Sequence, residues 1–203
     1  MSIRNINDMQ VLKITKSNKI KLTNNILNQY TNLEKIEIGI NCECSFDDII
    51  FPQSVKIIEI YSKNNKQINN FPPKLETLIL DDNYNHEINF DSMHKLSFIS
   101  VGMNFSKNLS EGKFKIIYFR STKSSIPFLT LPPTVITVIL ANVSNIKEKL
   151  VNLPSNLETL HLLCDDKKAL ESIKLPINCR IINEHLNQKY KELEKAILWP
   201  SNY

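Results

Sequence analysis

The chain has 203 residues, of which 42% are apolar, and its 25 Lys and Arg against 21 Asp and Glu give a formal charge of +4. That apolar share suffices to bury a continuous core, which argues against intrinsic disorder, and the mild charge argues against a composition built to bind nucleic acid. Only three glycines occur (Gly39, Gly102, Gly112), too few and too scattered for a loop that cradles phosphates.

The first residues, MSIRNINDMQVLKIT, contain no apolar run of signal-peptide length, and no later stretch approaches the roughly 18 residues of a membrane span. Four cysteines (Cys42, Cys44, Cys164, Cys179) are too few and irregular for a disulfide framework, which favours a reducing compartment. A soluble, cytoplasmic protein with no membrane or nucleic-acid partner is expected. Arg4, Lys13, Lys16, Lys19 and Lys21 stand against Asp8 alone in this region and read as a solvated cap. Abundant Ile, Asn and Lys point to an AT-rich genome.

From there a pattern of apolar residues, L-x-x-L-x-L, recurs along the chain. Its first positions are Met9, Leu33, Val55, Leu75, Leu96, Phe114, Val135, Leu157 and Cys179, at intervals of 24, 22, 20, 21, 18, 21, 22 and 22 residues. The second and third positions follow in each unit, as Leu78 and Leu80 do after Leu75. The last unit is incomplete: Cys179 and Ile182 fall on core positions, and Glu184 on the third. The end of each unit alternates with the period of a strand and is rich in Ile, Val, Leu and Phe. Proline precedes the strand in five units, at Pro52, Pro72, Pro132, Pro154 and Pro176, where it removes no ladder donor. The apolar residue before each, such as Phe51 or Phe71, is placed to turn inward and close the coil.

These units resemble leucine-rich repeats, whose period is 20 to 29 residues and whose consensus is L-x-x-L-x-L-x-x-N. The consensus asparagine falls at Asn41, Asn83 and Asn104, where it can bond backbone groups left unpaired by the turn. More narrowly they resemble FNIP repeats, a subclass found in amoebae and in large DNA viruses that infect them. Asn83-Tyr84-Asn85-His86-Glu87-Ile88 and Gly102-Met103-Asn104-Phe105-Ser106-Lys107-Asn108-Leu109 carry that likeness. The resemblance covers about residues 5–183 and implies one leucine-rich-repeat-like solenoid domain over 1–203. Its parallel β-sheet would lie on one face, its connections would be irregular or short-helical, and each stripe would be buried by its neighbours.

The final stretch sets Leu186, Tyr190, Leu193 and Ile197 on one face of a helix, with Pro200 after it. A capping α-helix over 184–199 is expected; a detachable amphipathic helix that binds a partner or membrane is the alternative.

Between the core positions lie residues that point away from the core. A first outward column runs Val11, Lys35, Ile57, Thr77, Phe98, Ile116, Thr137, Thr159, Ile181. The second runs Lys13, Glu37, Glu59, Ile79, Ser100, Tyr118, Ile139, His161, Asn183, and the third Thr15, Gly39, Tyr61, Asp81, Gly102, Arg120, Ala141, Leu163. Outward positions facing water should be polar, so the apolar residues in the middle units mark a candidate interaction surface. The predicted partner-binding residues are Ile57, Glu59, Tyr61, Ile79, Asp81, Phe98, Ile116, Tyr118, Arg120, Ile139 and His161. Strand propensity alone, or loops folded over the sheet, would account for the same residue types.

No catalytic constellation emerges. The one-residue spacing of Cys42 and Cys44 is not that of a metal pair, and His161 and Cys164 lack a third group to orient a base. The expected role is a non-enzymatic protein-interaction module without cofactor or metal, binding a protein partner through its strand face. The alternative is a self-associating structural component. Relatives of this repeat type are sometimes joined to an F-box; with repeats from about residue 5, a ubiquitin-ligase role is expected to need a separate adaptor.

Overall fold

A computed structural model of the protein describes residues 9–14, 27, 29–39, 46, 49–61, 66–102, 104–120, 131–141, 153–163 and 174–183. The proline turns set up the strands. Pro52, Pro72, Pro132, Pro154 and Pro176 each offer a carbonyl to the N–H three residues on, at 3.0–3.1 Å, so that Val55, Leu75, Val135, Leu157 and Cys179 enter the core from a closed turn. Where proline is lacking, Met93 serves the same purpose for Leu96 at 3.2 Å.

The chain then crosses to its neighbour through a shared acceptor. Glu34 O receives both Lys56 N–H and Ile57 N–H, Lys56 O receives Glu76 and Thr77, and the same fork recurs at Glu76, Ser97, Lys115 and Ile136. Beyond each fork lies a short strand: β1 (Val11–Ile14), β2 (Lys35–Ile38), β3 (Ile57–Ile60), β4 (Thr77–Ile79), β5 (Phe98–Val101), β6 (Ile116–Phe119), β7 (Thr137–Ala141), β8 (Thr159–Leu163) and β9 (Arg180–Asn183). These nine strands of the described residues pair in chain order, each parallel to the next, in one sheet. The result is a parallel β-solenoid with almost no helix among the described residues, whose described connections are turns and irregular chain. No helix among them is long and apolar enough to cross a membrane.

One continuous core fills the coils. Leu33, Ile36, Ile38, Val55, Ile58, Leu75, Leu78, Leu80, Ile99, Phe114, Ile117, Val135, Leu157, Leu160 and Leu162 are buried in it, and the residues ahead of the prolines close its far side. Phe51 and Phe71 stack at 6.5 Å between centroids, and Phe90 meets Phe114 at 5.9 Å. Turn hydroxyls stitch adjacent coils: Ser54 Oγ donates to Leu33 O at 2.7 Å and Thr134 Oγ1 to Phe114 O at 2.9 Å.

Two expectations are corrected. The register at β9 is one residue out of step with the earlier units: Arg180 lies beside Thr159, Ile181 beside core Leu160 and Ile182 beside His161. Arg180 and Ile182, rather than Ile181 and Asn183, are therefore the strand neighbours of Thr159 and His161, while Ile181 stays exposed and Cys179 packs against the core. Asn83 and Asn104 do not bond the turn backbone either. Asn104 Nδ2 donates to Asn83 Oδ1 at 3.4 Å, and the backbone is served by shifted neighbours: Asp81 accepts Asn83 N–H at 2.9 Å, and Asn85 accepts Ser106 N–H at 2.8 Å. The segment 184–199, Asn41, Cys42, Cys44 and Cys164 lie outside the described residues.

Leu78 is fully buried in the core cluster, whereas the side chain of Thr77 next to it is half-buried on the other face. Leu78→Ala should lower unfolding free energy by about 2–5 kcal/mol and Thr77→Ser by less than about 1, read from chemical denaturation.

Candidate functional site

Because successive side chains alternate across a strand, the residues between the core positions share the opposite face of the sheet. Ile79, Phe98, Tyr118 and Ala141 form a second apolar cluster there, with Tyr61, Ile116, Ile139 and Leu163 packed against it. Of the predicted partner-binding residues this brings together Tyr61, Ile79, Phe98, Ile116, Tyr118 and Ile139. Their exposure differs from the expectation. Ile79 is fully buried, and Phe98, Tyr118, Glu59 and His161 are nearly so. What remains partly open is mainly the first column, at Ile57, Thr77, Ile116, Thr137 and Thr159, together with Tyr61, Ile139 and Leu163.

At the β1–β3 end the face is ionic. Lys13 Nζ lies 2.7 Å from Glu37 Oε1, and Lys35 Nζ lies 2.8 Å from Glu59 Oε1. Both carboxylates are buried and each is matched by a lysine from the preceding strand, which removes the penalty of an unpaired buried charge. Tyr61 Oη donates to Glu59 Oε2 at 3.5 Å and carries the ion ladder into the apolar cluster.

At the strand ends a second polar group depends on a glycine. A Cβ at Gly102 would collide with Asp82 Cα and come within 2.8 Å of its carbonyl carbon, so glycine alone lets the β4 turn approach. That approach sets Asp82 Oδ1 at 3.4 Å from Arg120 Nε. The guanidinium also lies 6.0 Å from the centre of the Tyr61 ring, at the outer range of a cation–π contact. Arg120 Nε and Nη2 and Ser100 Oγ are buried without hydrogen-bond partners. Asp81, predicted as a partner residue, is instead engaged in its own turn, accepting Asn83 N–H and Nδ2.

Burial, reinforced by the Glu59 carboxylate and opposed by Arg120, pushes the Tyr61 phenol well above its ordinary value of 10.0. Burial likewise pushes Tyr84, in the core, up to about 12. Cys179, on its core position, is raised by burial and bears no mark of an activated thiolate. No group of three or more potential metal ligands occurs among the described residues.

Sequence reasoning missed Asp82 and the pairing of Lys13 and Lys35 with Glu37 and Glu59. The column order could have revealed the second, since the lysines and glutamates occupy neighbouring outward positions. No family model matches the chain, and no curated protein or solved structure matches it.

Two outcomes are expected. In the folded protein Tyr61 and Tyr84 hold their protons above pH 10 while the unfolded chain loses them, so stability is intact below pH 10 and falls as pH rises through the folded values. Phenolate absorbance should show late-ionising tyrosines, and Tyr61→Phe with Tyr84→Phe should raise the pH at which the protein unfolds. Gly102→Ala should lower stability by about 1–3 kcal/mol in denaturant unfolding, since backbone has to move to admit the methyl group.

Proposed function

We propose that the chain is a protein-interaction module of the leucine-rich-repeat type that binds a partner through the outward face of its sheet, without catalysis. The observation that carries this reading is the second apolar cluster. A solenoid sheet needs one apolar face to bury its core, yet here Ile79, Phe98, Tyr118 and Ala141 make the other face apolar as well. The half-open first column beside it, Ile57 and Thr77 on one side of buried Phe98 and Ile116, Thr137 and Thr159 on the other, gives a partner an apolar and hydroxyl-bearing stripe. The L-x-x-L-x-L spacing of the buried residues supports the repeat type, and the FNIP likeness narrows it further.

Rigidity supports the same reading. Strands pinned on both sides hold the stripe in one arrangement, which limits the side-chain entropy lost on association. The partner is a protein, and the cluster behind the stripe supplies a firm base for it.

A self-associating role is the second reading, favoured by apolar side chains exposed on both terminal strands, Val11 on β1 and Ile181 on β9. Light scattering after size exclusion separates the two, since a chain that stays monomeric at high concentration removes self-association.

Because Tyr118 is buried, truncating it would test packing, and the stripe is better tested at Ile57 and Ile116. The double variant Ile57→Lys, Ile116→Lys should keep its circular dichroism spectrum and lose partners captured by the wild-type protein from its native cell. An unchanged partner set with the fold intact would refute the strand-face reading.

A further inference from the structure

The lysines of the described residues divide by environment. Lys13, Lys35 and Lys56 each hold a carboxylate, of Glu37, Glu59 and Glu34, at 2.7–2.8 Å. Burial is not the difference, since the Lys56 side chain is 41% exposed and is nonetheless paired, its ammonium stabilised first by the hydrogen bond to Glu34. Lys74, Lys95 and Lys113, all exposed, make no ion pair or hydrogen bond.

These three lie together. Each is three residues ahead of a strand position, Thr77, Phe98 and Ile116, and those positions are registered neighbours on β4, β5 and β6. The lysines therefore form a row across three consecutive coils, spaced by the strand separation of about 5 Å. Lys115, also exposed and unpaired, adds a fourth charge at the β6 end. The backbone around it is bonded: Leu75 N–H, just after Lys74, donates to Pro72 O at 3.1 Å and Leu96 N–H, just after Lys95, to Met93 O at 3.2 Å, whereas the turn before Lys113 closes earlier, from Gly112 N–H to Leu109 O at 3.0 Å. Like charges held this close, within one Debye length of about 8 Å, repel each other and concentrate positive potential at one edge of the solenoid.

We propose that this row, at the edge where the strands begin, docks an acidic extended polypeptide segment of a partner protein. An extended chain carries same-side residues about 6.6–7 Å apart, and flexible lysine stems absorb the difference from 5 Å. The surroundings favour a peptide over nucleic acid. The row is only about 10 Å long, by the same strand spacing. The exposed carboxylates of Glu76 and Glu111 lie beside it in the chain and would repel any anion that continues past the row, which suits a short acidic stretch of peptide better than a continuing phosphate backbone. The row stands apart from the outward strand face, and its test does not depend on that reading.

Fluorescence anisotropy with a labelled oligoglutamate peptide tests it directly, with an oligothymidylate of equal charge as the competing probe. The double variant Lys95→Glu, Lys113→Glu should weaken peptide binding by about tenfold at low salt, and the control Lys107→Glu, Lys174→Glu, with the same change in net charge, by less than about threefold. The wild-type affinity should fall as salt is raised, and the charge-neutral pair Lys95→Gln, Lys113→Gln should fall between the two. Equal weakening by the row and control variants, absence of peptide binding by the wild type, or tighter row-dependent binding of the oligothymidylate would each overturn the proposal.

Discussion

The structure depends on the shared carbonyl at the start of each strand. By accepting two successive N–H groups from the next coil, Glu34, Lys56, Glu76, Ser97, Lys115 and Ile136 lock the neighbouring strand in level and phase at once. Phase decides which side chains face the core, because one step along the strand exchanges the faces. With phase held from β1 to β8, Leu, Ile and Val stack on Leu, Ile and Val across the coils, and each outward residue keeps the same outward neighbours. At β9 only one donor, Arg180 N–H, is bonded to the corresponding acceptor, Glu158 O, and there the phase slips.

The outward face is a gradient of polarity made by that alignment. Ion pairs between Lys13 and Glu37 and between Lys35 and Glu59 give way through Tyr61 to the apolar cluster around Ile79 and Tyr118. Buried carboxylates would cost several kcal/mol if left alone, and their partners are available only because strands stay level. The Arg120–Asp82 contact follows the same logic one step further along, where Gly102 leaves the space that a side chain would occupy. Arg120 and Ser100 keep unpartnered polar atoms there, making this the least satisfied corner of a well-bonded face.

The core was legible in the sequence because its signal is repeated: Leu75, Leu78 and Leu80 have counterparts about every twenty-one residues, and one unit explains the others. The outward columns were legible in order from Val11 to Thr159 for the same reason. Their burial was not. Alternation states on which side of a sheet Ile79 or Tyr118 lies and carries no information on how closely neighbours enclose it. The asparagine ladder was partly misread, since Asn83 and Asn104 do lie on adjacent turns but bond each other, leaving the backbone to Asp81 and Asn85. The slip at β9 could not be read at all, because Cys179 and Ile182 preserve the apolar spacing of earlier units while the ladder sets Ile181 beside Leu160. Asp82 was missed because its contact is set by an absent side chain, that of Gly102.

Pairing of each strand only with its neighbours in sequence has a mechanical consequence. The ladder bonds run along the solenoid axis, so a pull on the two chain ends passes from coil to coil, and an outermost strand, paired on one side only, is the first to give way. Such a molecule yields at low force in steps of one coil, like tape lifted from its roll, and each peeled coil can rewind onto the template left behind. A tether built this way lengthens under tension without losing the ordered coils beyond the break.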